Sequence, residues 1–414
     1  MYFNLLSIIF LRGVGAASLL ISTAMVAQRY SLEEVSNFFL GTIIVTLGSL
    51  VSRLGVENII LSEFSPLHFS KSDGQSSYYL SVLKLVTYTS LLIITFVSVI
   101  HYFFGIDGAS SVYDSPLIIL TLSIFPISVF TTNSDFLKAK EYAFVSVFLK
   151  VFIFPLLFTV GFFLMDPESF IDACRLFTLC SLFVCLLSMV LTRLNFSFSS
   201  DDRSFNYLRL LKRSLPMLLV GLCGLTVGWL DGLILRFWGE ESDLALYGVA
   251  VRLSALIGFV GLAILSIYGP KLSKLIADKE YQKCKLLLFH CQKMSFVLGL
   301  CFLAIGFLWG ISALELFGDE YKESYWVFMV LMFSQFINVV FGPVGFLLVV
   351  FGKEKRYSLS YILISSFCLM AGVLIVPYAG IMGLAFLSVV FFLSINLLCY
   401  YEVRLKFQKM MAVL

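Results

Sequence analysis

Charge is scarce in this chain. Asp, Glu, Lys and Arg make up 13% of its 414 residues, about half of what a soluble domain carries. With 60% hydrophobic residues and a mean hydropathy of +0.97, the chain reads as an integral membrane protein rather than as the two or three soluble domains its length would suggest. Histidine is nearly absent: His68, His101 and His290 are scattered and form no ligand set. The nine cysteines show no C-x-x-C or paired metal spacing, so neither a metal centre nor a disulfide framework is expected, and no cofactor. Most of them lie in or beside apolar segments and read as small buried hydrophobes. No Walker A, HExxH or GxSxG motif occurs, so the chain is not itself an ATPase and carries no such hydrolase centre. The basic residues are not gathered as a nucleic-acid surface requires. The apolar stretch Met1–Ala27 is longer than a signal h-region and lacks a basic n-region, so it reads as a first span that stays in place.

What the chain does have is long apolar runs. A spanning helix needs about 20 mainly apolar residues, and on that basis roughly twelve spans are expected. They are Leu5–Val26, Val35–Leu54, Leu80–Phe104, Pro116–Leu137, Ala143–Met165 and Phe170–Leu191, then Leu215–Leu235, Ala245–Tyr268, Met294–Leu314, Tyr325–Phe351, Ser358–Val376 and Ile381–Tyr401. Prolines within spans, at 126, 155 and 343, and glycines such as Gly13, Gly15, Gly224 and Gly228 suit bends and close helix packing.

Loop charge sets the expected orientation. Roughly 21 Lys and Arg residues fall on one side, among them Lys138, Lys140, Arg213, Lys285, Lys353 and Arg404, against about four on the other (Arg29, Arg175, Arg236, Lys322). The poorly basic side carries acids such as Glu33, Glu34, Asp166, Asp172, Asp243 and Glu315. The positive-inside rule then puts both termini in the cytoplasm, which requires an even number of spans.

The polar stretch near the midpoint divides the chain into a six-helix lobe over 1–192, a connector over 193–213 and a second six-helix lobe over 214–414. Two short echoes fit a duplication: Ser31-Leu-Glu-Glu-Val with Gly239-Glu-Glu-Ser-Asp, and Lys138-Ala-Lys-Glu-Tyr with Lys353-Glu-Lys-Arg-Tyr. The expected fold class is therefore all-α and membrane-embedded, with two lobes around a central cavity, a plan common among transporters.

Four basic side chains lie inside the spans, where hydrocarbon penalises an Arg or Lys by about 2.5–3.5 kcal/mol. Arg252 sits well inside the eighth span, roughly 12 Å from its outer edge and far for snorkelling, so a polar cavity is the expected surrounding. Arg12, in the first span just before Gly13 and Gly15, is of the same kind. Arg53, late in the second span, either faces a cavity or snorkels to the interface with Glu57 as an (i, i+4) partner. Lys150, about two turns into the fifth span, has the same two readings. Asp231 is the one acid clearly inside the apolar zone, and serves either as a proton or cation site or as the counter-charge of a cavity arginine. Asn133, Asp135, Gln335, Asn338 and Asn396 read as interhelical glue.

The centre of the chain resembles the O-antigen and polysaccharide flippases of the multidrug/oligosaccharidyl-lipid/polysaccharide exporter (MOP) superfamily. The residues concerned are Leu210-Leu-Lys-Arg-Ser-Leu-Pro216, Trp229-Leu-Asp231, Ala245-Leu-Tyr247-Gly-Val-Ala-Val-Arg252-Leu and Ile267-Tyr-Gly-Pro270-Lys-Leu-Ser-Lys. The family pattern is Ser-x-Pro, an Asp, Gly-x-Tyr-x-x-Ala-x-Arg/Lys and Pro-x-x-Ser/Ala, and Ala245 stands where Gly is common. Length, span count and two-lobe layout carry the resemblance over the whole chain. The lipid II flippases of the superfamily usually have more spans than this chain has room for.

The resemblance implies a MATE-like fold and a cargo, an undecaprenyl-pyrophosphate-linked oligosaccharide repeat unit, moved from the cytoplasmic to the periplasmic leaflet of a bacterial inner membrane. It also implies a polysaccharide polymerase and a chain-length regulator as partners alongside membrane lipid. Buried basic groups would complement the diphosphate as it crosses hydrocarbon, and lobe rocking would provide alternating access. Two rival readings are a drug or cation antiporter of the same fold, which favours acidic rather than basic cavities, and a membrane glycosyltransferase or polymerase, for which the short outer loops and Glu33-Glu34 offer little.

Overall fold

The computed structural model describes residues 2–63, 75–104, 115–195, 207–224 and 229–411. Most of the 193–213 connector, including Asp201-Asp202, lies outside the described residues, as do His68, Lys71, Asp107, Asp114 and Gly228. In hydrocarbon every backbone N–H and C=O needs an internal partner, and among the described residues the chain meets this need with helices and no strands. Ten helical stretches there are long and apolar enough to cross a membrane. Backbone contacts divide the chain into two units, Met1–Gly224 and Leu225–Leu414.

The first unit comprises α1 (Tyr2–Arg29), α2 (Leu32–Ser52), α3 (Val56–Glu63), α4 (Gln75–Phe104), α5 (Pro116–Thr121), α6 (Ile124–Ala139) and α7 (Ala143–Val147). A π-helical segment (Phe148–Ile153), α8 (Phe154–Met165), α9 (Phe170–Asn195) and α10 (Tyr207–Gly224) complete it. A capping box starts α2: Ser31 N–H donates to Glu34 Oε2 at 3.0 Å, and Glu34 N–H donates to Ser31 Oγ at 3.4 Å. The acids of this turn are therefore helix-start chemistry. Arg29 pairs with Asp166. Tyr30 donates to the Pro167 carbonyl at 2.8 Å, and burial pushes its phenol up to about 12, so it stays a donor at any physiological pH.

Proline shapes the fourth and fifth spans. Pro126 cannot give Leu122 its i→i−4 bond, and the expected continuous helix breaks there into α5 and α6. Pro155 likewise leaves Val151 without its α-helical donor, and the ladder widens to π over Phe148–Ile153. The freed region faces α1 at close range: a Cβ on Gly15 would stand 2.3 Å from the Val151 carbonyl oxygen. Hydroxyls tie the helices elsewhere, with Thr159 donating to Ser18 O at 2.8 Å, Thr89 to Ser52 O at 2.6 Å and Thr178 to Ile119 O at 2.9 Å.

After α2 the chain turns through Leu54 and Gly55, both with positive φ. A Cβ on Gly55 would lie 2.4 Å from Ser214 O, so glycine serves both the turn and the seating of α10. The core below joins Val56, Ile59 and Ile60 to Tyr79, Val82, Phe136, Leu137 and Leu149.

The second unit comprises α11 (Asp231–Trp238), α12 (Asp243–Ser254), a 3₁₀ turn (Ala255–Ile257), α13 (Gly258–Ala277), α14 (Tyr281–Glu315), a second 3₁₀ turn (Asp319–Ser324), α15 (Tyr325–Val350) and α16 (Glu354–Met411). Glu240 N–H donates to Asp243 Oδ2 at 3.0 Å, so the echo with Ser31–Glu34 is one of helix-start chemistry. Gly299, Gly306 and Gly310 on α14 receive Phe336, Met332 and Phe328 of α15. The chain of α16 reverses at Gly380 (φ 52°, ψ −145°), and Gly372 packs against Leu384 across the reversal, so α16 supplies the last two expected spans. Helix α14 begins at Tyr281 rather than near Met294. Its 35 residues give roughly 52 Å of helix against about 30 Å of hydrocarbon. The added turns persist because Cys284 and Leu288 are buried against a core that includes Phe391, Val403 and Phe407, and Cys291 against one with Val260, Ile264 and Val339.

The Gly15 contact yields a paired expectation. Gly15→Ala should lower stability by about 1–3 kcal/mol, because its methyl meets backbone rather than a side chain that can move. Gly13→Ala, into open space, should not lower the melting temperature of the purified protein and should raise it slightly, by the propensity gain of Ala over Gly of up to about 1 kcal/mol.

Candidate functional site

In the first unit the structure brings together Arg53 and Lys150 but sets them around acids. Arg53 caps α2 and is 9% exposed. Its Nε donates to Ser49 O at 3.2 Å, its Nη1 pairs with Glu57, and Nη1 lies 3.9 Å from Asp135 Oδ2. Lys150, at the centre of the π segment, donates from Nζ to Asp135 Oδ1 at 3.1 Å and to Oδ2 at 3.4 Å. Two cations and two carboxylates thus balance. Asp135 is 5% exposed, so the sequence reading of it as glue holds in its simplest sense: it joins α6, α2 and the π segment.

Asp135 was the harder residue to single out. It stands three residues before the basic turn Lys138-Ala-Lys140, which reads as the end of a span, yet the helix packs it inward. The nearby signal was Asn133-Ser-Asp135 itself. Asn133 accepts from Tyr79 Oη at 3.0 Å and donates to Ser188 Oγ at 2.9 Å, so this whole stretch of α6 is a buried polar face.

Arg12 stands apart. It is exposed on α1, inside the candidate span Phe10–Arg29, and has no hydrogen-bond or ion-pair partner among the described residues.

In the second unit Asp231 opens α11 and is 8% exposed. Tyr247 of α12, fully buried, donates to Asp231 Oδ2 at 3.0 Å. Asp231 thus ties α11 to α12. Arg252, five residues beyond Tyr247, is half-buried, and its Nη1 donates to Gly248 O at 3.1 Å. The Tyr321 hydroxyl is buried and has no hydrogen-bond partner among the described residues. The α-helix gives way to the 3₁₀ turn just after Arg252. Such a tightened turn within a span is a place where helices bend. No cluster of three or more His, Cys, Asp or Glu residues able to hold a metal occurs among the described residues.

No protein-family model matches the sequence, and no curated protein matches it. Solved structures do. The chain is similar to the lipid II flippase MurJ in an inward closed conformation, with a TM-score of 0.76 and 16% identity over 99% of this chain and 90% of that one. It is similar to an inward-facing multidrug resistance MATE transporter of the MOP superfamily, with a TM-score of 0.71 and 15% identity over 98% and 99% of the two chains. A MOP-superfamily transporter from Pyrococcus furiosus, described as having a binding pocket of reversed polarity, aligns with a TM-score of 0.59 and 15% identity over 98% of each chain. The fold is therefore the all-helical, multi-pass MOP fold.

The charge cluster of the first unit gives a direct expectation. Asp135→Asn leaves two cations without their shared carboxylate and should destabilise the purified protein by about 3 kcal/mol. Adding Lys150→Gln should recover part of that loss, since one orphaned charge is removed. Thermal unfolding of the single and double variants measures both steps.

Proposed function

We propose that the chain is a flippase for a lipid-linked oligosaccharide, a repeat unit carried on undecaprenyl pyrophosphate. It would move this cargo by alternating access from the cytoplasmic to the periplasmic leaflet of a bacterial inner membrane. In this reading the basic loops and both termini lie in the cytoplasm, as the loop charges favour. A polysaccharide polymerase and a chain-length regulator would act downstream. The MOP fold supports the reading, as does the likeness to a lipid II flippase.

The observation that carries the proposal is Arg12. A guanidinium in a spanning helix, with no partner among the described residues, costs about 2.5–3.5 kcal/mol in hydrocarbon. A diphosphate supplies the missing acceptor through paired charge-assisted hydrogen bonds. Arg252 contributes a second guanidinium, oriented by the Gly248 carbonyl. Arg53 and Lys150 complete the cationic contacts, each held in place by Asp135. Asp231 is assigned to ion coupling: a carboxyl group buried against Tyr247 changes its local hydrogen bonding on binding a proton or cation.

A second reading, a cation or multidrug antiporter, draws on the same buried Asp231 and on the MATE likenesses. Drug accumulation in cells that lack or overproduce the protein separates the two, since only the antiporter reading expects a change.

Arg12→Ala and Arg252→Ala should each slow flipping about ten- to a hundredfold, the worth of a charge-assisted hydrogen bond. Protein levels should stay unchanged, and Lys at either position should rescue only in part because it lacks the guanidinium fork. Surface polysaccharide display reads this out, and normal display with both alanines present would remove the proposal. Asp231→Asn should abolish the acceleration of transport by an imposed pH or cation gradient across vesicles while leaving cargo binding intact.

A further inference from the structure

The early start of α14 builds a groove that the transport reading does not use. At the basic end of the second unit, a cavity of about 210 Å³ lies between α14 and the last turns of α16. Lys285, Phe289 and Gln292 line it from one helix, and Tyr400, Arg404 and Phe407 from the other. The spacings are i, i+4, i+7 on both helices, so each helix presents a single face.

The groove is cationic at its mouth. Neither Lys285 nor Arg404 has a carboxylate partner among the described residues. The acid nearest Arg404 in sequence, Glu402, is already taken by Lys353 at 2.5 Å and Arg356 at 2.6 Å, and the acid nearest Lys285, Glu280, pairs with Lys283. Along the same two helix faces, toward the apolar span, run exposed side chains: Phe296 and Leu300 on α14, Leu393 and Leu397 on α16. Such a strip is at home against acyl chains. Basic residues, amide donors and aromatics at the headgroup level, followed by bare apolar surface at the chain level, match one molecule in layers.

We propose that this groove is a binding site for an anionic diacyl phospholipid of the surrounding bilayer. Lys285 and Arg404 hold its phosphate and headgroup, and the Phe296–Leu397 strip takes its chains. The volume suits a headgroup alone; it is below the about 300 Å³ at which small-molecule pockets begin, so the chains lie outside on the helix faces. The site is independent of the cargo reading, because it lies wholly within one unit and uses none of Arg12, Arg53, Lys150, Arg252 or Asp231.

The test uses the full chain, purified and delipidated, with dioleoyl-phosphatidylglycerol as the probe. Native mass spectrometry should show retained phosphatidylglycerol, and added phosphatidylglycerol should raise the melting temperature where phosphatidylcholine does not. Inorganic phosphate and glycerol 3-phosphate should not reproduce the effect. Lys285→Ala with Arg404→Ala should weaken the binding roughly thirtyfold, the combined worth of two basic residues at an anionic surface. The exchange Lys285→Arg with Arg404→Lys should retain it, as should the removal of Lys274 and Lys279, which lie outside the groove. Equal stabilisation by phosphatidylcholine, full stabilisation by phosphate alone, or unchanged retention in the double alanine variant would each overturn the proposal. Should the double variant fail to fold, a photoreactive residue at Gln292 decides: crosslinks to phosphatidylglycerol over phosphatidylcholine support the site, and equal labelling ends it.

Discussion

One carboxylate organises the first unit. Asp135 is shared by Arg53 and Lys150, and a buried charge is tolerable only when its partners are fixed around it. Each partner is fixed by a departure from regular helix. Arg53 is held at the end of α2 by the turn through Leu54 and Gly55, which in turn depends on the seating of α10. Lys150 is held by a π segment that exists where Pro155 withdraws a donor. Removing the carboxylate would therefore leave two fixed cations without their shared partner, rather than break one ion pair.

The second unit is built on a different economy of charge. Its buried acid accepts a hydrogen bond from a phenol, Tyr247. The first unit gathers two cations and two carboxylates, while the second carries an acid and an arginine on neighbouring helices, with Tyr247 donating to Asp231 and Arg252 donating to the Gly248 carbonyl.

Much of this was legible in the sequence because hydrocarbon leaves few options. Apolar runs of spanning length become helices, and nearly every expected span has a helical counterpart. Glu57 as the (i, i+4) partner of Arg53 was also readable, since helix spacing alone decides it. The rest was hidden where the governing contact is distant in sequence. Asp135 read as glue between helices, but only packing against α2 and the π segment identifies Arg53 and Lys150 as what it joins. The extension of α14 was invisible to a hydropathy reading because its stabilising face alternates with lysines. Pro126 and Pro155 announced bends, but not that one would produce a break and the other a π segment.

The π segment has a consequence for how this unit can change over time. A π turn holds one more residue than the α turn it replaces. Deleting a single residue within Phe148–Ile153 would restore a regular ladder and turn Lys150 by about 100° relative to α8, taking its ammonium off Asp135. An insertion or deletion elsewhere in α8 would instead shift the whole lower face against Ser18 and Phe38. The segment therefore marks the place in the fifth span where length, rather than residue identity, decides which side chain meets the buried acid.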